Sequence, residues 1–214
     1  MRLFLRGAIL VSFASVWFMG CSPRPIPSES GVDPIDPELE PYQVPVGPDV
    51  SIEPILRKGF QWEFHPVTEY VLSGKICSIK RYRWGWSGAI VPIDLAVRWG
   101  ILVDPQYDRT ISWSQHRRWY FWRHGPNVGL SKQQISQHSS NNHIIPANEN
   151  LLRALLRIKR NDLVELSGYL VNITGSKGPS FYHWNTSQSR KDTGDGSCEI
   201  FYVMRITHSG SAYQ

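Results

Sequence analysis

The chain holds little that is reactive. Of 214 residues only three are cysteine and three methionine, and charged side chains make up 19%. No apolar run spans a bilayer: the longest, Gly7 to Phe18, is about a dozen residues where about 20 are needed. That excludes a polytopic helical membrane protein, and 41% hydrophobic residues exclude a wholly disordered chain. Carboxylates are scarce where catalysis would want them, with 11 Asp and Glu in residues 55–214. No phosphate loop, nucleophile elbow or zinc framework is present. The missing acids sit upstream: residues 22–54 hold seven, against the single base Arg24. The body carries 20 Lys and Arg against its 11 acids, so the net charge of +5 averages a −6 segment and a +9 body.

What is present begins with a targeting pattern. Arg2 and Arg6 precede the apolar run, which ends in Phe18-Met19-Gly20-Cys21. A positive start, a short apolar stretch and a small residue mark a signal segment. Gly20-Cys21 resembles the lipobox of bacterial lipoprotein precursors. The resemblance implies diacylation (palmitate-type chains) of Cys21, and Ser22 in second place implies outer-membrane sorting. Residues 23–54 then hold nine of the chain's 15 prolines and one aromatic residue, Tyr42. Such a composition favours extended chain, reaching on the order of 90 Å. The expected organisation is a signal peptide at 1–20, a Pro-rich acidic linker at 21–54 and a basic globular domain at 55–214. The location that follows is the bacterial envelope, lipid-anchored and facing the periplasm. With one cysteine lipidated, Cys77 and Cys198 form an even pair in an exported domain and are expected to join in a disulfide.

Within the body, Tyr70–Tyr82 and Leu163–Thr174 read as long strands, each interrupted by Leu-Ser-Gly at Gly74 and Gly168. Thr110–Ser114, Trp119–Arg123, Phe181–Trp184 and Glu199–Ile206 read as shorter strands. Pro92–Trp99 reads as a short helix stopped by Gly100, and Leu130–Gln137 as weakly helical. Asn148–Arg160 is the main amphipathic helix, capped by Asn148, with Leu151, Leu152, Leu155, Leu156 and Ile158 on one face. Strands bent at glycine around one helix predict an α+β fold, a small β-barrel of the OB or SH3-like kind.

Three stretches offer chemistry. Arginine interleaves with aromatics at Arg81-Tyr82-Arg83-Trp84-Gly85-Trp86 and Arg117-Arg118-Trp119-Tyr120-Phe121-Trp122-Arg123. Arg81, Arg83, Arg117, Arg118, Trp119, Trp122 and Arg123 are the candidate binding residues, supplying charge or stacking faces. In a strand, Tyr82, Trp84 and Trp86 would share one face. The second stretch is His138 to Pro146. Its Asn142-His143-Ile144-Ile145-Pro146 superficially resembles the start of an HNH-type nuclease motif, but no metal-ligand framework follows. His138 and His143 are five apart, which suits neither a helix face nor a strand face, so no metal and no cofactor are expected. The third, Ser187 to Glu199, reads as an ordered polar loop in which Asp192 or Asp195 pairs Arg190 or caps a turn.

Across residues 70–206 the body resembles a family of uncharacterised bacterial exported proteins sharing the Ser-x-Ser-Arg-x-Asp-Thr-Gly ending, here Ser187 to Gly194; the resemblance implies a domain family and brings no activity. The leading expectation is an envelope binding module for a glycan or another envelope protein, with no nucleic acid partner. The rival is a periplasmic hydrolase whose site gathers His138, Asn142, His143, Ser189, Arg190 and Asp192, which requires those side chains to meet in one pocket.

Overall fold

β-branched and aromatic residues fill the body, and strands dominate it. The computed structural model describes residues 22–25, 32–192, 194 and 196–214. Cys21 and the expected signal peptide lie outside these residues. In chain order come β1 (Tyr42–Pro45), β2 (Ile52–Arg57), β3 (Phe60–Arg81), α1 (Gly85–Ile90), β4 (Ile93–Arg98) and α2 (Tyr107–Thr110). There follow β5 (Ile111–His116), β6 (Trp119–His124), α3 (Lys132–Gln137), β7 (Ser139–Pro146) and α4 (Glu149–Leu155). The chain closes with β8 (Leu163–Lys177), β9 (Ser180–Trp184), β10 (Glu199–His208) and β11 (Ser211–Tyr213). Nine strands make one mixed sheet, and β5–β6 form a separate hairpin. This is an α+β architecture.

The sheet runs β1-β3-β4-β7-β10-β8-β9, with β2 on β3 and β11 on β10. Strand β3 is long enough to serve two partners: Gln61 to Lys75 pair with β8, and Lys75 to Arg81 pair with β4. β7 and β10 run parallel; the other described pairs are antiparallel. Gly74 sits where β3 changes partner, and a Cβ there would stand 2.6 Å from the Arg98 carbonyl and from Val97 Cγ1. At Gly168, opposite the irregularity at Val203/Arg205 of β10, a Cβ would meet the Tyr202 carbonyl at 2.1 Å. Both glycines therefore permit close strand approach, as the Leu-Ser-Gly repeats suggest.

Strand alternation sorts the core. Ile93, Leu95 and Val97 face one cluster with Tyr70, Leu72, Phe201 and the apolar side of α4. Ala96 faces another with Cys77, Ile111 and Trp113 beneath the hairpin. A third cluster is aromatic, with Trp62 and Phe64 joined by Trp86, Tyr182 and Trp184.

Several expectations are corrected. The helix expected over 92–99 is instead strand β4 (Ile93–Arg98): every residue of β4 is buried, so the polar/apolar alternation that marks a strand is erased. Residues 81–86 do not continue the strand; β3 stops at Arg81, Trp84 is exposed, and Trp86 belongs to α1. Asn148 does cap α4, its side chain accepting the Leu151 N–H at 3.0 Å. The helix ends at Leu155, and Leu156, placed on the apolar face by its spacing, is exposed. The Pro-rich segment is no free spacer along residues 42–57: β1 and β2 pair with β3, with Pro54 at the irregularity between Ile52 and Ile55, as suits proline on an edge strand. Cys77 and Cys198 are free thiols. In register they stand across β3, β4, β7 and β10, so two strands intervene. Three strand spacings come to about 14 Å, roughly twice the reach of a disulfide.

Candidate functional site

The hairpin is laid on β7 by its own alternation. Trp113 stacks parallel on Tyr120, with centroids 6.2 Å apart, and the Tyr120 hydroxyl meets the Ser139 carbonyl at 3.3 Å. Burial raises the Tyr120 pKa, with the Ser139 hydrogen bond opposing it. One edge of β6 is left beside the loop that leads into β10. A cavity of about 210 Å³ opens there. Its lining joins Trp119, Tyr120 and Trp122 of β6 to the loop residues Ser189, Arg190 and Asp192, with Ser140, Cys198 and Glu199 as further polar lining. Trp119 and Trp122 are both half-buried, so neither indole is fully covered.

The loop side is held by its own polar contacts. Arg190 Nη1 pairs with Glu199 Oε1, and Nη2 donates to the Tyr70 hydroxyl. The guanidinium lies 5.2 Å and 5.4 Å from the Tyr70 and Trp99 ring centroids. Burial raises the Tyr70 pKa, against the charge and hydrogen bond of Arg190. Asp192 accepts from the Ser187 hydroxyl at 2.6 Å, and the Ser189 hydroxyl accepts the Lys191 N–H at 3.1 Å. Asp192 thus ties the turn, and the partner of Arg190 is Glu199; Asp195 lies outside the described residues. Fixed charges on the lining are Arg190 against Asp192 and Glu199, which leaves the pocket short of positive charge.

Nothing here is an activated nucleophile. Burial pushes the Cys198 thiol up to about 11, with the Asn141 amide at 3.6 Å only partly opposing it. Among the described residues no three His, Cys, Asp or Glu side chains are grouped to hold a metal ion. The hydrolase set divides. Ser189, Arg190 and Asp192 line the cavity, while His138, Asn142 and His143 do not. His138 ends α3, with Nδ1 2.8 Å from the Gln134 carbonyl and Nε2 3.4 Å from Glu40. Asn142 and His143 are successive residues of β7 and point to opposite faces. Asn142 donates to Ser140 Oγ at 2.8 Å.

His143 faces outward to a second polar cluster. Its Nδ1 is 2.9 Å from Asp94 Oδ1, within ion-pair distance though not aligned as a hydrogen bond. Asp94 is also held by Arg118 Nη1 at 2.7 Å. Arg118 reaches in from the hairpin turn, lies 3.6 Å over the Tyr82 ring and donates to the Val91 carbonyl at 3.0 Å. Of the other candidate arginines, Arg81 donates to the Leu156 carbonyl at 3.0 Å and closes the end of α4. Arg83, Arg117 and Arg123 are exposed. Arg81 and Arg118 therefore serve the fold, and Trp119 and Trp122 are the members of the aromatic-basic set that line the cavity.

Sequence reasoning missed Asp94, Tyr70, Ser140 and Glu199. A single acid inside the apolar run Pro92–Val97 was the available signal, since a buried charge requires a partner. Glu199, at the head of an apolar strand, was a second. No family model, curated protein or solved structure matches this chain.

Proposed function

We propose that this chain is a lipid-anchored envelope protein whose body is a non-catalytic glycan-binding module built on an OB-type barrel. The observation that carries the binding reading is the cavity between β6 and the 186–198 loop. It is lined by both Trp119 and Trp122 together with the Arg190–Glu199 pair and loop hydroxyls. Indoles stack on the apolar face of a sugar ring while fixed polar groups take its hydroxyls. A cavity of about 210 Å³ suits one ring, and its lining charge favours a neutral sugar over an anionic one.

The barrel reading is supported by the way the pairings return on themselves, β3 to β4 to β7 to β10 to β8 and back to β3. One parallel pair, β7 with β10, and a helix between β7 and β8 fit the OB arrangement better than the SH3-like one. Export and anchoring rest on Arg2, Arg6, the apolar run and Gly20-Cys21. Two acyl chains hold a protein on a bilayer where one does not.

Two experiments test this. Palmitate labelling of the expressed protein is expected for the wild type and lost in Cys21→Ala; an unlabelled wild type overturns the anchor. Titration with neutral oligosaccharides, followed by tryptophan fluorescence, is expected to saturate, and Trp119→Ala and Trp122→Ala should each weaken binding about tenfold. Binding unchanged in both variants removes the cavity from the function. Capture of another envelope protein with no sugar response replaces the glycan with a protein partner.

A further inference from the structure

The cavity sits at one end of the strands, and a different surface sits at the other. β7 and β10 run parallel, and their first residues, Ser139, Ser140 and Glu199, line the cavity. The chain leaves the far end of β7 directly into α4, and β10 ends there at His208. Ten residues of strand put Glu199 and His208 about 30 Å apart. At this far end a shallow basin of about 600 Å³ is lined by Arg81, Leu156, Arg157, Lys159 and His208, among others.

Three features make that basin more than a solvated surface. Its positive charges are concentrated and available: Arg157 and Lys159 are exposed, and among the described residues neither is in an ion pair. Of the two acids beside His208, Asp162 is engaged, accepting the Lys159 N–H at 2.8 Å and lying 2.7 Å from His208 Nε2, and Asp33 stands in the adjoining hollow, outside the basin's lining. Leu156 puts a large apolar side chain, 45% exposed, among the bases. Bases around an exposed leucine are the composition of a surface that sits against lipid headgroups.

The second observation is independent of charge. Residues 22–24 are tied to the same end of the molecule. Arg157 Nη2 donates to Ser22 Oγ at 2.8 Å, the Arg24 N–H donates to Asn150 Oδ1 at 2.7 Å, and Asn150 Nδ2 returns a hydrogen bond to the Arg24 carbonyl at 3.0 Å. The chain therefore arrives at position 22 beside α4, one residue after the cysteine that the proposed function lipidates.

We infer that the basin around Arg81, Arg157 and Lys159 is the membrane-facing surface, holding the body against anionic phospholipid headgroups with the Trp119/Trp122 cavity turned away from the bilayer. This rests on the anchoring part of the proposed function. Acyl chains alone hold one point of the chain at the bilayer and leave open which face the body turns toward it. The basic basin supplies orientation, each exposed base adding attraction that falls off within a Debye length of the surface. A cavity held away from the bilayer opens to envelope glycan.

The test uses the full lipidated chain, reconstituted into vesicles of phosphatidylethanolamine with phosphatidylglycerol and, separately, of uncharged phosphatidylcholine. Amide hydrogen exchange is read at residues 153–162 and at 119–124. Exchange at 153–162 is expected to slow about tenfold in the anionic vesicles relative to the uncharged ones. That protection should vanish in high salt and in Arg157→Glu/Lys159→Glu, while 119–124 exchange equally throughout. Wild-type flotation with vesicles, but equal exchange at 153–162 in both lipids, overturns the orientation and leaves the anchor standing. Protection at 119–124 in its place reverses the orientation and equally overturns it. Failure of the wild type to float with either vesicle overturns the anchor itself. Near-ultraviolet circular dichroism of the double variant shows that it is folded; should it not be, Lys159→Gln alone is expected to give part of the same loss.

Discussion

β4, β7 and β10 carry two polar clusters on their opposite faces, and the two are built differently. On the outward face Asp94 and His143 are register partners, Trp184 of β9 packs 4.5 Å from the His143 ring, and Arg118 enters from the hairpin turn. On the inward face Glu199 and Asn142 are register partners, and Arg190 enters from the loop before β10. Each cluster is a buried carboxylate met by one arginine from outside the sheet. The outward arginine lies inside an aromatic enclosure; the inward one forms the wall of an open cavity. The same chemistry thus closes a structure on one face and lines an open cavity on the other, and what differs is access to solvent.

The comparison breaks most directly at the carboxylates. Asp94→Ala strands Arg118 and His143 without their partner, and removing one member of a buried pair costs about 3–5 kcal/mol. Urea unfolding should show a loss of that size. A loss below about 1 kcal/mol would mean that Asp94 is not what holds the hairpin down.

The outward face can also be probed through its thiols. Burial pushes Cys77 up to about 12 and Cys198 to about 11, from an ordinary 9.0. At pH 8 a pKa raised from 9.0 to about 11 lowers the thiolate fraction about a hundredfold. Iodoacetamide should therefore label the native protein slowly and the urea-unfolded protein fully at both positions, read by mass spectrometry. Both folded values lie above the unfolded one, so these thiols leave stability unchanged below about pH 9. Stability should fall as pH rises from about 9 toward 12, because the unfolded chain ionises first. Rapid labelling of the buried Cys77 in the native state would show that the hairpin opens.

On the inward face the expected costs are smaller. Glu199→Gln keeps the shape and removes the charge, and since Arg190 is partly exposed, the stability loss should be about 1–2 kcal/mol. If the cavity binds sugar as proposed, affinity should drop further than stability does. An unchanged affinity would separate the Arg190–Glu199 pair from the binding surface.

How much of this could be read from the chain follows the same division. The half-exposed elements announce themselves: β5, β6 and α4 keep a periodic pattern, and Asn148 caps α4 as its position suggests. Elements buried on both faces do not. β4 lost its alternation and passed for a helix, and in β7 a run of Ser, Asn and His, all buried, gave no strand pattern to read. The Trp119/Trp122 wall was legible because arginines and indoles stand together in sequence. Its partners Ser140 and Glu199 were not, because they meet only through the parallel pairing of strands more than 50 residues apart. The proline-rich stretch misled for a related reason: composition reports the cost of folding alone, and β1 and β2 fold on an edge of β3 that already exists.

The last prediction concerns the turn that delivers Arg118. His116 and Trp119 are register partners, so the β5–β6 loop has two residues, Arg117 and Arg118, at φ +48° and +71°. A two-residue hairpin with both central residues left-handed favours Asn-Gly, and two arginines there are strained. For Arg118 the strain is offset by Asp94, Tyr82 and the Val91 carbonyl. Arg117 is exposed and relieves nothing by standing there. Arg117→Asn should therefore stabilise the protein by about 0.5–1 kcal/mol, because Asn tolerates the left-handed region. Arg118→Gly relieves the same backbone but abandons Asp94, and should destabilise by 2 kcal/mol or more, on the order of a broken buried pair. Opposite signs at adjacent positions, measured by thermal unfolding of the two single variants, would show that the turn is held in its conformation by what Arg118 reaches. Equal signs would place the cause in the backbone and remove the outward cluster's hold on the hairpin.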